Sequence, residues 1–283
     1  MIDLHTHSSA SDGSLSPGAL IGEAAAQGLT AIALTDHDTV QGLEEAKKAA
    51  KAGGIVFIPG IELEIIWSRK NEGGEFHLLG LGLRRLTPSF TEAVAELSRR
   101  RERRNLEILD RMHELSIEAD YRDIQALSGG HSVGRPHFAA LLVNRGIVKT
   151  REQAFSRYLA RGKPLYMPKK GLEFDEAVGA IKSAGGIAVL AHPMSLYLAW
   201  GRLPEVVKNL KDRGLDGIEA WHPTAKVRSC KRLDALGKNL GLYITEGSDY
   251  HGEARPGRRL GITAGGRKIE DSVLEALPDL AAR

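Results

Sequence analysis

Short apolar runs recur along this chain, and most of them end just before a histidine or a carboxylate. Seven runs have the length and residue types of buried β-strands: residues 2–4, 30–34, 55–58, 76–83, 187–190, 217–220 and 242–244. Segments with helical signals lie between most of the runs, and alternating strands and helices predict a parallel sheet. The 283 residues are enough for one α/β barrel. The pattern therefore predicts a barrel with one strand fewer than the usual eight.

Capping signals place helices between these runs. Ser16 followed by Pro17 predicts a helix start, and Gly28 predicts the end of that helix. The next helix is expected over about 40–52, because a Gly-Gly pair follows it. Later helices are expected at about 174–184, 204–213 and 225–239. Residues 69–75, rich in Lys, Asn, Glu and Gly, predict a hairpin turn.

The alternation of strands and helices stops after Pro88. Helical periodicity without a convincing strand is expected in four segments, at about 89–115, 120–128, 136–145 and 150–161. We interpret residues 89–162 as an α-helical insertion that caps the mouth of a barrel. The barrel itself is assigned to residues 1–88 and 163–283.

Charge and composition bound the partners. The net charge of +3 is compatible with an anionic substrate but too small to predict binding of duplex DNA. The arginine-rich stretch 99–104 is interpreted as a solvated helix face. The single cysteine, Cys230, fits a reducing compartment, and the charged N-terminus lacks the apolar core of a signal peptide. We expect a cytoplasmic protein without membrane contact, either a monomer or a small homo-oligomer.

Histidines and carboxylates at the predicted strand ends form a candidate metal site. Two of them, His5 and His7, are separated by one residue, so both imidazoles point the same way, and Asp249 and His251 repeat this spacing. Buried imidazoles and carboxylates call for cations as counter-charges. Ligands of these types without a thiolate suit two or three divalent ions, which favours Mn²⁺, Zn²⁺ or Fe²⁺. The nine candidate ligands are His5, His7, Asp12, His37, Glu62, His77, His192, Asp249 and His251.

Four motifs resemble those of the PHP superfamily, named for polymerases and histidinol phosphatases. The resemblance covers about residues 1–83 and 165–260 and implies a distorted (β/α)₇, TIM-like barrel with a trinuclear centre, for which we expect Mn²⁺. The motifs are His5-Thr6-His7, Thr35-Asp36-His37-Asp38, Ala191-His192-Pro193 and Ser248-Asp249-Tyr250-His251.

The same resemblance implies how the ligands divide among three ions. The first ion would be held by His5, His7, Glu62 and Asp249. The second would share Glu62 and add His77 and His192. The third would be held by Asp12, His37 and His251.

The insertion carries the candidate substrate contacts. Arg135 and His137 flank Pro136 at a predicted helix start, where a helix N-terminus and a guanidinium are typical of a phosphate site. The alternative is a surface arginine and a helix-capping histidine. Lys163 and Lys169 are further candidates for a phosphate contact. Within the superfamily, this segment resembles a bacterial subgroup similar to the 3′,5′-nucleoside bisphosphate phosphatases, some of whose relatives trim RNA from the 5′ end.

The candidate catalytic residues are His192, His222 and Arg135. His222 follows the sixth predicted strand and is either a general acid or a polar contact at the barrel rim. Asp36 and Asp38 are candidates to orient ligand histidines through hydrogen bonds.

These observations predict a metal-dependent phosphatase that acts on a small nucleotide. The expected reaction is attack of a metal-activated hydroxide on phosphorus, at the 3′-phosphate of a nucleoside 3′,5′-bisphosphate. One alternative is a 5′-3′ exoribonuclease acting on short 5′-phosphorylated RNA. Another is a metal-dependent amidohydrolase, although such enzymes usually bridge their metals with a lysine, and this chain offers Glu62 instead. A non-catalytic nucleic-acid-binding module is the third, and the complete ligand set argues against it.

Overall fold

The computed structural model describes residues 1–67, 74–128, 133–168 and 170–281. The chain divides into two compact units. The first unit comprises Met1–Val94 and Gly171–Arg283, and the second comprises Ala95–Lys170.

The first unit is built around one seven-stranded sheet in which the strands follow chain order. Thr6 bridges to Tyr250, and the His7 N–H donates to the Tyr250 carbonyl at 2.9 Å, so the two edges of the sheet meet beyond the ends of the first and last strands. The sheet is therefore a nearly closed barrel, which confirms the predicted distorted TIM-like fold and its seven strands. The strands are β1 (Ile2–Asp3), β2 (Ala31–Leu34), β3 (Val56–Glu64), β4 (His77–Leu81), β5 (Ile187–Leu190), β6 (Gly217–Trp221) and β7 (Tyr243–Glu246).

One strand of the barrel runs against the others. The prediction of a fully parallel sheet is wrong, because β4 is antiparallel to both β3 and β5. The predicted hairpin turn at 69–75 lies largely outside the described residues, but the strands it joins are antiparallel, as a hairpin requires. This reversal matters for the site: His77, the first residue of β4, lies at the same end of the barrel as the carboxyl ends of the parallel strands.

Helices surround the sheet in the first unit and make up the second. Ser16 caps the first helix by accepting a hydrogen bond from the Ala19 N–H, as its Ser-Pro signal predicts. The helices are α1 (Pro17–Ala26), α2 (Leu43–Gly53), α3 (Pro88–Glu114), α4 (Tyr121–Leu127), α5 (Arg135–Asn144), α6 (Arg151–Ala154), α7 (Phe174–Ser183), α8 (Leu203–Asp212), α9 (Val227–Asn239) and α10 (Ser272–Glu275). A π-helical turn, Phe155–Leu159, continues α6.

Each unit has its own apolar core. Inside the barrel, Ile58, Leu79 and Val189 belong to one buried cluster, to which β1 contributes Ile2. In the second unit, the cluster is formed by helical side chains such as Met112 and Phe138, and the described residues of that unit contain no strand. Across the described part of the chain, no helix combines the length and apolar character needed to cross a bilayer.

Candidate metal centre

The structure brings all nine predicted ligand residues together at one end of the barrel. Glu62 lies within β3 and His77 begins β4, whereas the other seven stand in the segments that follow a strand. His5 and His7 follow β1, and their Nε2 atoms lie 3.1 Å apart. The intervening Thr6 points away and interacts with the backbone of Ala33, as the two-residue alternation of an extended chain requires.

Glu62 lies at the centre of the cluster, and its two oxygens face different imidazoles. Oε1 is 2.7 Å from His77 Nδ1 and 2.9 Å from His192 Nε2. Oε2 is 3.3 Å from His5 Nε2 and 3.2 Å from His7 Nε2. A carboxylate divided in this way could contribute to two ion sites, which is the role the PHP resemblance implies for it.

Asp249 is divided in a similar way. Its Oδ1 faces the ring nitrogens of His5 and His7, at 3.6 and 3.4 Å. Its Oδ2 faces His222 Nε2 at 3.2 Å and the Arg255 guanidinium at 2.8 Å. One oxygen is thus directed into the histidine cluster and the other toward the mouth of the site.

Within the described part of the chain, four groups of side chains have ligand atoms close enough to share an ion. One contains the expected set Asp12, His37 and His251 and adds His7. Another adds His222, which was expected only as a catalytic residue, to His5 and Asp249. The four groups are His7, Asp12, His37 and His251; His5, Glu62 and His192; His5, His222 and Asp249; and His37, Glu62 and His77.

The donor atoms fit divalent cations in spacing and in their hydrogen bonding. Ligand atoms that share an ion at a bond length near 2.1 Å are about 3.0–3.4 Å apart, and the His5–His7 separation of 3.1 Å falls in that interval. Buried polar atoms normally have a hydrogen-bond partner. Among the described residues, Glu62 Oε2, His7 Nδ1 and His251 Nε2 are buried and make no well-aligned hydrogen bond, although imidazole or carboxylate atoms lie 3.0–3.8 Å from them. These atoms are therefore suited to coordinate a cation.

The carboxylates of the cluster are held in their ionised form. Burial alone would raise the pKa of Glu62, but the imidazoles of His37, His77 and His5 outweigh it and keep the pKa well below its usual range. The pKa values of Asp12 and Asp249 are lowered against burial by neighbouring imidazoles in the same way. Three ionised carboxylates in a buried site attract cations.

The imidazoles respond differently according to their partners. Burial alone would lower the pKa of His7, but hydrogen bonds with Asp249 and Glu62 outweigh it and raise the pKa to about 9. Burial lowers the pKa of His37 to about 4, because its carboxylate neighbours do not compensate. His37 is therefore a neutral ring at physiological pH, the form in which histidine binds a metal.

Two buried carboxylates support the cluster and were not predicted. Glu219, inside β6, lies 2.9 Å from His5 Nδ1 and accepts the His192 N–H at 2.7 Å. Asp3 accepts the N–H groups of Ser248 and Gly261, at 3.0 and 2.8 Å, and so anchors the segment that carries Asp249. The available signal was an acidic residue inside an otherwise apolar strand, which rarely occurs unless the charge is paired.

Hydrogen bonds also fix other parts of the site. Asp36, a candidate to orient an imidazole, instead accepts hydrogen bonds from the Ser8 N–H at 2.8 Å and the Ser11 hydroxyl, and among the described residues it contacts no imidazole ring through a hydrogen bond. It therefore fixes the loop next to His7. Asp38 accepts the Glu64 N–H at 2.9 Å.

A cleft of about 420 Å³ opens onto this cluster. His37, Glu62, His77, His192 and Asp249 line it, and so do two arginines and a tyrosine that the sequence did not single out. These three are Arg255, Arg258 and Tyr197. The Arg255 side chain is 42% exposed, whereas that of Arg258 is 13% exposed and lies 3.4 Å from the Ser248 carbonyl. Both arginines line the cleft, and Arg255 is the more exposed of the two.

His222 lies in the same wall of the cleft. His222 Nδ1 lies 3.3 Å from the Thr224 N–H and 2.7 Å from the Thr224 hydroxyl. Its Nε2 lies 3.2 Å from Asp249 Oδ2 and 3.4 Å from the Arg258 guanidinium. Burial lowers the pKa of His222, so the neutral ring is favoured.

Backbone strain is concentrated near the cluster. Asp38, His192, Tyr197 and Asp249 all have positive φ angles, between 27° and 53°. Such conformations are unfavourable for residues other than glycine and are often found at functional sites.

The remaining predicted residues belong to the second unit. Arg135 begins α5, and its guanidinium lies 5.9 Å from the centre of the Tyr166 ring. His137 Nδ1 accepts the Gly134 N–H at 2.9 Å, so His137 caps the helix, the simpler of its two predicted roles. Lys163 is exposed. Lys169 lies outside the described residues.

Comparisons with known proteins agree with this geometry. The sequence profile of the PHP domain matches residues 3–173. The chain is 36% identical, over 88% of its length, to the 5′-3′ exoribonuclease of Haemophilus influenzae, of which the match covers 89%. It is 34% identical, over 93% of its length, to the 3′,5′-nucleoside bisphosphate phosphatase of Chromobacterium violaceum, covering 91% of that protein. A crystal structure from Bifidobacterium adolescentis, described as a metal-dependent phosphoesterase, has a TM-score of 0.84 at 28% identity, over 97% of this chain and 94% of that one.

Proposed function

The chain belongs to the PHP domain family and is a metal-dependent phosphoesterase, and from this we propose that it hydrolyses the 3′-phosphate of a nucleoside 3′,5′-bisphosphate. The observation that carries the proposal is the cluster around Glu62, whose two oxygens face two sets of imidazoles. The similarity to a bisphosphate phosphatase over nearly the whole chain supports the choice of substrate.

The side chains proposed to hold the ions are those of the nine-residue cluster. His5, His7, Glu62 and Asp249 would bind one ion, Glu62 with His77 and His192 a second, and Asp12 with His37 and His251 a third. Divalent ions bound there, Mn²⁺ in our proposal, would supply a hydroxide nucleophile at neutral pH and neutralise charge on the phosphoryl oxygens.

Residues at the cleft would position the phosphate that is removed. The Arg255 guanidinium binds Asp249 on one side and is exposed on the other, so its outer donors are available to a phosphoryl oxygen. His222 presents its Nε2 beside the same carboxylate, which makes it the candidate donor of a hydrogen bond to the leaving oxygen. Glu219 would keep His5 in the tautomer whose Nε2 lone pair faces the ions.

Arg135, His137, Lys163 and Lys169 are proposed to serve the phosphate that stays on the product. Arg135 is the first residue of α5. The backbone N–H groups at that helix end would add to the attraction of the Arg135 guanidinium for an anion. A contact to the 5′-phosphate would orient the nucleotide and so favour a bisphosphate over a simple monoester.

A second candidate activity is 5′-3′ exoribonuclease. Relatives that carry this name include one that is 36% identical to the chain. In both reactions the bond between phosphorus and a 3′ oxygen is broken. The same active site could break it whether the phosphorus belongs to a terminal 3′-phosphate or to the phosphodiester that links the next nucleotide of an RNA. The amidohydrolase alternative has less support, because the centre of the described cluster holds the carboxylate of Glu62, not a lysine.

Product analysis separates these activities. Protein loaded with Mn²⁺ is incubated with adenosine 3′,5′-bisphosphate, adenosine 3′-monophosphate and a short 5′-phosphorylated RNA, and phosphate and nucleotides are quantified. The proposal predicts inorganic phosphate and the 5′-monophosphate from the bisphosphate at the highest kcat/KM. Preferred release of 5′-mononucleotides from RNA would favour the exoribonuclease, and no phosphoester turnover on any substrate would refute both.

A further inference from the structure

The segment after β5 forms a tight helical turn that begins at the candidate ligand His192. Pro193–Leu196 is a 3₁₀ helix, with hydrogen bonds from the Ser195 N–H to the His192 carbonyl at 2.8 Å and from the Tyr197 N–H to the Met194 carbonyl at 3.2 Å. In a 3₁₀ helix, side chains three residues apart lie above one another. The six residues 192–197 can be grouped by this spacing into three pairs, although His192 and Tyr197 lie outside the helix and have positive φ angles of 27° and 50°.

Two of the three pairs fix the turn in place. His192 and Ser195 form the first pair: the serine hydroxyl lies 2.8 Å from His192 Nδ1 and donates to the Glu75 carbonyl at 2.8 Å. Pro193 and Leu196 form the second pair, and both are buried. The turn is thus anchored to the protein on two sides.

The third pair, Met194 and Tyr197, lines the cleft that opens onto the candidate ligand cluster. Tyr197 is 71% exposed, the most exposed large apolar side chain in the described part of the chain. It also has φ +50°, which is unfavourable for a bulky residue. Tyr197 thus presents an aromatic ring to solvent, and the half-buried Met194 also lines the cleft, which contains charged groups that bind phosphate in our proposal.

We propose that Met194 and Tyr197 form a platform on which the base of the nucleotide substrate stacks. This inference rests on the proposed function. The residues proposed to bind the two phosphates leave the base of the nucleotide without a contact, and the platform would provide one. A ligand of this cleft must be anionic where it meets the cluster and the Arg255 guanidinium, and flat and apolar where it meets Tyr197. A nucleotide has both features, and aromatic side chains bind all bases by stacking.

The cleft lining agrees with this occupant. Met194 and Tyr197 line the same cleft of about 420 Å³ as His77, His192 and Asp249, so the base and a phosphate of one nucleotide could occupy it together. Binding by stacking is tolerant of base identity, so the platform distinguishes nucleotides from other phosphate esters more than it distinguishes bases from one another.

The test compares substrates with and without a base. Wild-type protein, Tyr197→Ala and Tyr197→Phe are assayed with adenosine 3′,5′-bisphosphate and with 1-O-methylribose 3,5-bisphosphate, which lacks the base. Stacking contributions predict that Tyr197→Ala lowers kcat/KM for the nucleotide by about 5- to 150-fold. Its kcat/KM for the base-free ester should stay at the wild-type value, and Tyr197→Phe should behave as wild type on both. Tyr243→Ala removes another exposed tyrosine of the same unit, outside the cleft lining, and is the matched control.

Equal losses on both substrates would overturn the platform, as would no loss on the nucleotide. Binding of adenosine 5′-monophosphate and ribose 5-phosphate to the Mn²⁺-loaded proteins, measured by calorimetry, separates this outcome from failure of the proposed function. If wild type does not hydrolyse the bisphosphate but Tyr197→Ala selectively weakens binding of the adenosine compound, the function is wrong and the platform stands. If hydrolysis occurs but binding is unchanged by Tyr197→Ala, the platform is wrong and the function stands.

Discussion

At the scale of single residues, the candidate centre depends on carboxylates that divide their oxygens between partners. Glu62 faces His77 and His192 with one oxygen and His5 and His7 with the other. Asp249 faces the histidines with one oxygen and the cleft with the other. In the proposed centre, this division would let one buried carboxylate serve neighbouring cations.

Glu219 offers a test of how the histidine ligands are oriented. Glu219→Gln keeps the shape of the side chain but removes the charge that faces His5 Nδ1. We expect the affinity for Mn²⁺ to fall by about 10- to 100-fold, the usual effect of losing such a supporting group. Equilibrium dialysis against Mn²⁺ measures this directly.

Glu246→Gln is the matched control for that experiment. Glu246 is also a buried carboxylate, at the end of β7, but its partner is Arg267 and not an imidazole. It should bind Mn²⁺ as wild type does. If Glu219→Gln also leaves Mn²⁺ affinity unchanged, Glu219 does not orient His5 toward the ions.

Arg135 offers a test of how two phosphates are distinguished. Arg135→Ala should lower kcat/KM for a nucleoside 3′,5′-bisphosphate by about 10- to 150-fold, which corresponds to the roughly 1.5–3 kcal/mol of a hydrogen bond to a charged group. Turnover of a 3′-monophosphate should change much less, since that substrate has no 5′-phosphate. Arg151, also the first residue of a helix in the second unit, provides the control variant Arg151→Ala. Equal losses of kcat/KM on both substrates would mean that Arg135 supports the folding of the second unit and does not bind the 5′-phosphate.

The sequence identified most of the residues in this cluster but not their supports. The nine candidate ligands were identifiable because histidines and acids follow apolar runs, and strand ends meet at one edge of a barrel. Glu219 lies inside β6 and Asp3 ends β1, and the apolar periodicity of a strand alone gives no partner for either. Arg255 was missed because nothing in its local sequence shows that it folds back onto Asp249.

At the scale of the elements, β4 shows what a pattern of apolar residues cannot determine. Its position was predicted from the apolar run 76–83, and residues 77–81 form the strand. Apolar periodicity is the same for both directions of a strand, and the only sequence signal for the reversed direction was the hairpin turn predicted at 69–75. The reversed direction is what brings His77 to Glu62, so a strictly parallel barrel would have placed this histidine at the opposite end.

Close packing of β3 against β4 predicts a specific sensitivity to substitution. A Cβ on Gly60 would lie 2.9 Å from the Gly80 carbonyl oxygen and 2.8 Å from a Thr35 methyl. Gly60→Ala should therefore destabilise the protein by about 1–3 kcal/mol, as overpacking does. The change is measured as the free energy of unfolding in urea.

Gly179→Ala provides the contrast within the same unit. Gly179 lies inside α7, and a Cβ there would meet no atom within 4 Å. Alanine should stabilise the helix by about 0.5–1 kcal/mol, since glycine loses more backbone entropy on folding. If both variants are equally destabilised, close contact at Gly60 is not what limits that position.

At the scale of the whole molecule, the barrel and the second unit contribute different parts of the proposed chemistry. The barrel holds the complete candidate ligand set, the cleft and the aromatic platform. The second unit, with its own apolar core, holds Arg135 and Lys163. The fold class was predictable from the alternation of strands and helices, whereas the choice of nucleotide depends on side chains whose partners are distant in sequence.

The most direct test of the central claim is the dependence of bisphosphate hydrolysis on bound metal. Protein stripped with a chelator is titrated with Mn²⁺, bound metal is determined by elemental analysis, and release of phosphate from adenosine 3′,5′-bisphosphate is measured at each point. We predict no turnover in the stripped protein, a rise with Mn²⁺ that requires more than one ion per chain, and no recovery in His7→Ala at any Mn²⁺ concentration. Full activity of the stripped protein, or full activity of His7→Ala, would contradict the account.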